Sequence, residues 1–414
     1  MTSELGRRIW FTIGALLVFR LGTYIPLPGI DQAALAQPFR SQAGGFLGQA
    51  DLFSGGAVGR LAIFALGLMP YLSAAILLQL VSIVVPRLAA LPNQGERGRR
   101  RLENYTLGLT FAFAAFQAFG IAAALESIPN FVVEPGVLFR LTTVLSLTGG
   151  TIFLVWLSGQ ITARGVGNGL ALIFFMGVVL ELPGAIAGML DLGRQGVLSG
   201  GLMLGVLVLA VALTGLIVFM ERARRQFPVE YARRQVGMRM IEGRSHLSVK
   251  LNAAGVIPAV VASWLLAQLL AILSLTSGPG PGWAHAITSQ LGHGRPLHMI
   301  VYALAIVLFA LLYAAFVLSP ERIAADLDKR GGVIPGVEPG EATAEHVDTA
   351  ISRTAMLGAI YLALVCLIPE MLIAYARLPF YLGGIALLVV VCTMLDLDAQ
   401  LKNGAHIRLG GQRP

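Results

Sequence analysis

Long stretches without charge dominate the pattern of this chain. Six runs contain no Asp, Glu, Lys or Arg, and each exceeds the roughly 20 apolar residues that cross the hydrocarbon core of a bilayer. These runs cover residues 61–86, 105–125, 141–163, 195–220, 251–294 and 296–320. Backbone polar groups in lipid must be satisfied within the segment, and no alternating barrel pattern is present, so the runs predict helices.

With the shorter apolar segments, the pattern predicts an all-α polytopic membrane protein with ten transmembrane helices. We place them near residues 9–25, 61–85, 105–125, 141–160, 168–182, 201–220, 251–273, 299–318, 354–370 and 379–395. Only 13% of the residues are charged, against roughly 25% in soluble proteins. The first apolar run continues into this pattern without a small-residue cleavage site, so we expect no cleaved signal peptide.

The positive charges predict the orientation. If the N-terminus is cytoplasmic, 23 of the 30 Lys and Arg residues fall in inside segments, and the positive-inside rule then puts both termini in the cytoplasm. Two inside segments are long, 221–250 and 319–353. The first carries eight cations, which indicates either a solvated topology signal or a docking surface for an anionic partner such as ribosomal RNA.

Two pairs of spans share a motif. GLMPYL (67–72) parallels GVIPAV (255–260), and GLALIF (169–174) parallels GIALLV (384–389). Both pairs are five helices apart, and an odd offset inverts the second copy. Inverted repeats form a functional path at their interface, and chance matching of apolar helices is the alternative.

The matched positions are all apolar. They are Leu68, Leu72, Phe174, Val260 and Val389. The only polar candidates in the interiors of the spans are Gln79, Gln117 and Gln268. An apolar constriction excludes water and ions by dewetting and offers no group that recognises a small polar solute. Ordinary helix packing explains any one of these residues taken alone.

The segment before the second span, residues 46–60, reads FLGQADLFSGGAVGR. It is too short to span the bilayer. It could form a surface loop, or fold back as a short helix into a cavity lined by protein, where irregular backbone is tolerated.

Residues that carry chemistry are sparse. Cys366 and Cys392 both lie in apolar runs, and all six histidines are expected outside the spans, without metal-ligand spacing. We therefore predict no metal, no cofactor, no disulfide and no catalytic site, so the protein is not expected to be an enzyme.

Several motifs make the chain resemble the SecY family, whose members form the channel of the bacterial preprotein translocase. The matching segments run in family order. They are FRLGTYIPLPGID (19–31), LFSGGAVGRLAIFALGLMPYLSA (52–74), GRRRLENYT (98–106), WLSGQITARGVGNG (156–169), YARRQVGMR (231–239), KLNAAGVIPA (250–259), VIPGVEPGEAT (333–343), LIPE (367–370) and PFYLGGIALLVVV (379–391).

The resemblance implies two inverted halves, residues 1–190 and 191–414, with a lateral gate between the second and seventh helices. It implies a short plug helix in the 46–60 segment, which includes Asp51, Leu52, Phe53, Ser54, Gly55 and Gly56. It also assigns the hydrophobic pore ring to Leu68, Leu72, Phe174, Val260 and Val389. The implied function is passage of unfolded secretory proteins across the membrane and lateral release of transmembrane segments into lipid. The channel itself is passive.

The implied partners are SecE, SecG, the SecA motor, the ribosome, YidC, SecDF, signal-peptide-bearing substrates and membrane lipid. The implied location is the bacterial inner membrane. The two long inside loops would receive the ribosome or motor, and the candidate docking residues are Arg233, Arg234, Arg239, Arg244, Gly336, Glu338 and Pro339.

The sequence departs from the family pattern at three places. Glu338 stands where an arginine is usual, Met238 interrupts a basic run, and Glu181 is an acid where a small residue is usual.

Two other function classes are open to an apolar polytopic chain. A secondary transporter needs a charge or polar cluster at the midplane of the membrane. An intramembrane enzyme needs a Ser/His, paired Asp or metal cluster inside the spans. The predicted spans offer neither, so the protein-conducting channel is the leading hypothesis.

Overall fold

The computed structural model describes residues 4–30, 46–126, 128, 131–236, 239–252, 255–276, 283–292, 294–317, 320–329, 331–338, 340–376 and 383–410. The chain divides into two units. Unit 1 comprises residues 1–203, 378–382 and 393–414, and unit 2 comprises residues 204–377 and 383–392. The predicted division into inverted halves at residue 190 stays a prediction.

Unit 1 is helical. It contains α1 (Glu4–Gly22), α2 (Phe46–Ser54), α3 (Met69–Val84), α4 (Pro86–Ala89), a 3-10 turn (Leu91–Gln94), α5 (Glu96–Glu126), α6 (Val137–Arg164) and α7 (Gly169–Arg194). Its buried core joins α5 and α6 to the connecting segments through small and large apolar residues. Ala114, Ala118, Ala122 and Leu147 are among its most buried members.

Unit 2 combines helices with a small sheet. Its elements are α8 (Gly200–Arg222), which begins at the edge of unit 1, β1 (Arg224–Val236), β2 (Arg239–Lys250), α9 (Ile257–Thr276), α10 (Trp283–Leu291), α11 (Pro296–Val317), α12 (Pro320–Lys329), β3 (Gly332–Val333), α13 (Glu341–Ala376) and the beginning of α14 (Gly384–Gly410).

The predicted helical membrane fold is confirmed, and each of the ten predicted spans falls on a helix. Seven of the described helices, α5–α8, α11, α13 and α14, are long and apolar enough to cross a membrane. The apolar parts of α3 and α9 are shorter, at Met69–Ser82 and Ile257–Leu270. That α1, α3 and α9 also cross the bilayer stays a prediction.

The predicted start of the second span was wrong. The apolar run from residue 61 was read as helix, but residues 55–68 form successive turns and α3 begins only at Met69. Gly55, Gly56 and Gly67 have positive φ angles of 67°, 77° and 55°, a conformation that glycine adopts readily and that interrupts a helix. Pro70 follows at the first turn of α3, where its missing N–H is tolerated.

The two long inside segments contain regular secondary structure that the sequence analysis did not predict. Residues 224–236 and 239–250 pair as antiparallel strands, and β3 adds to them in the order β2-β1-β3. α12 and the first turns of α13 cover this sheet with a separate apolar core, whose buried members are Phe227, Val229, Val249, Leu327, Ile334, Val347, Ala350 and Ile351. We call β1, β2, β3, α12 and the first turns of α13 the sheet module.

The prediction that all six histidines lie outside the spans was also wrong. His298 lies in the first turn of α11, is 3% exposed, and its Nε2 atom is 3.5 Å from Glu370 Oε1 on α13. Its Nδ1 atom lies 2.9 Å from the carbonyl oxygen of Leu291, at the end of α10. The buried imidazole therefore connects three helices of unit 2. The charge-free run 296–320 includes His298, but the predicted span was placed at 299–318 and so began one residue after it.

Candidate functional site

The plug segment, residues 46–60, is partly helical and lies inside unit 1. α2 ends at Ser54, whose hydroxyl donates to the carbonyl of Asp51 at 3.0 Å and accepts from the Val58 amide at 3.3 Å. The amide of Gly56 donates to the same carbonyl at 2.9 Å. Leu52, Phe53 and Ser54 are buried. Of the two alternatives left by the sequence, the segment thus takes the short helix, and the end of that helix is buried.

Asp51 fixes the turn that follows α2. Its Oδ1 atom accepts a hydrogen bond of 2.8 Å from the Gly59 amide. Burial raises the pKa of the Asp51 carboxyl above its ordinary value, and the hydrogen bond from Gly59 and the charge of Arg60 lower that pKa in part. A buried carboxylate stabilises its surroundings only when such donors are present. Asp51 therefore has a structural role in shaping the plug segment.

α7 forms the seat of α2. α7 begins after Asn168, whose side-chain oxygen accepts from the Leu170 amide at 3.0 Å and caps the helix. The Phe53 ring meets Phe174 edge to face, with 5.5 Å between ring centroids. A Cβ atom at Gly177 would lie 2.5 Å from the Phe53 carbonyl oxygen. The absence of a side chain at Gly177 thus lets α2 approach the backbone of α7.

Three of the predicted pore-ring residues lie near this contact. Phe174 and Leu68 are buried, and Leu72 is half-buried. The Leu68 carbonyl accepts from the Leu72 amide at 3.0 Å, so these two residues lie one turn apart at the start of α3. A Cβ atom at Gly67, beside Leu68, would lie 3.8 Å from Ser54 Cβ. The turn that leads into α3 therefore lies beside the end of α2.

The other two ring residues belong to unit 2. Val260 lies in α9 and Val389 in α14, and both side chains are half-buried. Their membership of a ring stays a prediction.

Positive charges gather at the end of the plug segment. Arg60 Nη1 and Arg20 Nη1 donate to the Gly55 carbonyl at 3.1 and 3.4 Å. The Tyr24 ring lies 4.5 Å from the guanidinium carbon of each arginine, a distance at which cation–π attraction operates, and its hydroxyl accepts a hydrogen bond from Arg20. Arg60 Nη2 also lies 3.4 Å from Glu181 Oε1 on α7.

Sequence reasoning missed the importance of Glu181. It lies near the middle of α7, which continues through Pro183 to Arg194 rather than ending near residue 182. The statement that the interiors of the spans offer only glutamines was therefore wrong. Among the described residues, no group of three or more His, Cys, Asp or Glu side chains could hold a metal ion.

The candidate docking residues lie in or beside the sheet module. Arg233 and Arg234 are in β1, Arg239 and Arg244 in β2; Arg234 pairs with Ile241, and Arg244 with Glu230. Pairing of Glu230 with Val333 brings β3 beside β1. The structure thus unites two segments that the sequence analysis treated separately.

The turn that carries Glu338 is well defined. Gly336 has a φ of 85°, Val337 packs on the module core, and Glu338 is exposed. Thr343 Oγ1 donates to the Glu338 carbonyl at 2.8 Å. Pro339 lies outside the described residues. Because Val337 packs on the core and the next residue is exposed, the Glu338 carboxylate faces outward.

Comparison with known proteins finds the SecY family. A sequence model of that family matches residues 62–397. The protein translocase subunit SecY of Escherichia coli (strain K12) is 45% identical over 405 residues, which cover 97% of this chain and 91% of that protein.

Solved structures have a similar fold at lower identity. A SecY channel described with a plug domain that stabilises its closed state and maintains a membrane seal superposes with a TM-score of 0.67 at 18% identity, over 96% of this chain and 92% of that chain. Sec61 in the canine ribosome–channel complex gives a TM-score of 0.66 at 17% identity, over 96% and 92%.

Proposed function

Because this chain belongs to the SecY family of protein translocation channels, we propose that its plug segment seals the channel against α7 and the start of α3. The protein is a multi-pass membrane channel that passes unfolded secretory proteins and releases transmembrane segments laterally into lipid. In the resting state α2 occupies the path, and Leu68, Leu72 and Phe174 form the part of the pore ring contributed by unit 1.

One observation carries this proposal. A nine-residue helix, too short to span a bilayer, ends in the buried residues Leu52, Phe53 and Ser54 and packs on Phe174 and Gly177. Apolar side chains around a narrow path keep it free of water. α2 is held against α7 by non-covalent contacts, so an arriving chain can displace α2 without breaking a covalent bond. Energy for transport then comes from a motor or from the translating ribosome.

Site-specific crosslinking tests the path. A photoreactive residue at Leu72 or Phe174 should crosslink to a secretory chain stalled during export. The same probe at Phe116, which is 72% exposed on the outside of α5, serves as the control and should not react with a fully hydrophilic stalled segment. Crosslinks at Phe116 but at neither ring position would exclude this path.

We further propose that the sheet module is the docking surface for the ribosome and for a SecA-type motor. Support comes from the cations of β1 and β2, which can neutralise phosphate groups of ribosomal RNA, and from the exposed turn at Glu338. Membrane subunits of the SecE and SecG type, together with YidC and SecDF, are the other proposed partners. The proposed location is the bacterial inner membrane with both termini in the cytoplasm, which reporter fusions to each terminus would test.

Glu338 offers a test of motor docking. The carboxylate reverses the charge usual for the family, and like charges at close range oppose association. Glu338→Arg should increase motor-driven export by a SecA from a typical bacterium and leave ribosome-driven insertion unchanged. Equal motor-driven rates for the two channels across a range of salt concentrations would show that the motor does not sense this charge.

A further inference from the structure

One face of α7 is in contact with α2 over two turns. Phe174, Gly177 and Glu181 are spaced at i, i+3 and i+7, which puts them on one side of a helix. Phe174 meets the Phe53 ring, and Gly177 admits the Phe53 carbonyl. Glu181 lies beyond them, and a Cβ atom at Gly56 would overlap its Oε1 atom. The acid is therefore packed directly against the backbone that follows α2.

Glu181 holds Arg60 in position. The Arg60 guanidinium has one nitrogen 3.4 Å from Glu181 Oε1 and donates from another to the Gly55 carbonyl at 3.1 Å. Both side chains are partly buried. Gly55 follows the last residue of α2, so the cation is bound where a helix presents its unpaired carbonyl groups, a position that favours positive charge. The carboxylate on α7 is thus connected to the end of α2 through a single arginine.

Arg20 provides a second cation at the Gly55 carbonyl, and Tyr24 holds its side chain in place. The Arg20 guanidinium is stacked on Tyr24 of its own segment, and its described hydrogen bonds go to Gly55 and Tyr24. Of these two arginines, only Arg60 forms a described ion pair with Glu181 on α7, whereas the charge of Arg20 acts on that carboxylate from a longer distance. Loss of charge at Glu181 would leave the Gly55 carbonyl bound while removing the ionic attachment to α7.

We propose that Glu181 is a specificity-determining residue that fastens the plug segment to α7 through Arg60 and so sets how strong a signal sequence must be to open the channel. This inference rests on the proposed function of α2 as the seal. A signal sequence has to supply enough binding free energy to displace the plug segment, and each interaction made only in the closed state raises that requirement. The acid at this position makes the channel more stringent than one with a small residue there.

The test measures the position of α2 and the seal separately, in the full-length channel in membrane vesicles. Cys366 and Cys392 are replaced by alanine, and Ser54→Cys places a thiol at the end of α2. Glu181→Gln should increase the rate at which this thiol reacts with a membrane-impermeant maleimide by about fivefold, the ratio expected for a partly exposed ion pair. Resting ion conductance and export of precursors with weakened signal sequences should rise by a similar factor.

Asp191→Asn is the matched control. It removes a carboxylate of the same helix that pairs with Arg194 at 3.7 Å, and it should change none of the three measurements. Arg60→Gln should increase labelling, and the double variant Arg60→Gln with Glu181→Gln should label no faster than Arg60→Gln alone, because the two residues act through one interaction.

The outcomes separate the two proposals. Unchanged labelling in Glu181→Gln would overturn the fastening by Glu181, and additive effects in the double variant would overturn its action through Arg60. Faster labelling with unchanged conductance and unchanged stringency would instead overturn α2 as the seal, and with it the proposed threshold.

Discussion

At the scale of single residues, the plug segment is held by apolar contacts and by charge in different places. Phe53 and Phe174 provide an edge-to-face aromatic contact, whereas Arg60 and Glu181 provide an ion pair further along α7. The sequence predicted Phe174 through the repeat of GLALIF and GIALLV. It could only mark Glu181 as a departure from the family pattern, because the pairing with Arg60 spans more than a hundred residues and leaves no local signal.

The aromatic contact leads to a prediction about leakage. Phe174→Asn should increase resting ion conductance and admit weak signal sequences, because a polar amide wets a constriction that apolar side chains keep dry. Ile186→Asn, at an exposed position on the same helix, should leave conductance unchanged. Planar-bilayer recordings measure both, and equal resting currents in the Phe174 variant and the parent would argue against a seal at this position.

At the scale of elements, the sequence located the helices well and described their ends and connections poorly. Hydropathy predicted ten spans, and each falls on a helix, because each of these helices buries apolar surface in lipid or in protein. It extended α3 back to residue 61 because apolar composition does not distinguish a helix from buried turns. It missed the hairpin because charged residues alternate irregularly along β1 and β2, and because the apolar partners of the sheet lie in α12 and α13.

The approach of α2 to α7 gives a second prediction. Gly177→Ala should displace α2, since its Cβ atom would lie 2.5 Å from the Phe53 carbonyl oxygen, closer than van der Waals contact allows. Gly184→Ala on the same helix meets nothing within 4 Å and is the matched control. We expect faster thiol labelling at Ser54→Cys in the Gly177 variant alone. Identical labelling in the two variants would mean that α2 is not seated against Gly177.

A third prediction concerns the core of the sheet module. Val347 is fully buried there, so Val347→Asp places an unpaired charge in an apolar core, which costs several kcal/mol and should unfold the module. Limited proteolysis of inverted membrane vesicles should then cleave within residues 221–250, while the membrane helices stay protected. The neighbouring exposed change Asp348→Asn should have no such effect. Resistance of both variants would show that the module does not depend on this core.

At the scale of the whole molecule, the pattern of charge carries two kinds of information. The excess of Lys and Arg on one side predicts topology, and the same residues are candidates for docking. The family, the helical membrane fold and the channel function could be predicted from the sequence, because long motifs such as WLSGQITARGVGNG are not explained by apolar composition. Two features could be found only in the structure: the packing of α2 on α7, and the sheet module that joins residues 221–250 with residues 319–353. Both depend on contacts between residues far apart in the chain.

The fourth prediction separates topology from docking. Reversing Arg233, Arg234 and Arg239 to Glu should weaken ribosome binding by about tenfold or more, with a steep dependence on salt, because fewer phosphate charges are neutralised. Orientation should persist, since Arg222, Arg224 and Arg225 still flank α8. Sedimentation with ribosomes measures the binding, and reporter fusions measure the orientation. Inverted topology with unchanged ribosome affinity would identify these arginines as topology signals only.

The composition of the sheet module also has a consequence for biosynthesis. Its core joins Phe227 to Ile351, and β2 ends at Lys250, so synthesis of the hairpin ends about 100 residues before synthesis reaches Ile351. At roughly 5–20 residues per second, this delay is roughly 5–20 seconds. During that interval α9 and α11 are synthesised while the hairpin lacks its apolar cover. A newly made channel therefore acquires the complete apolar core of this module only late in its own synthesis.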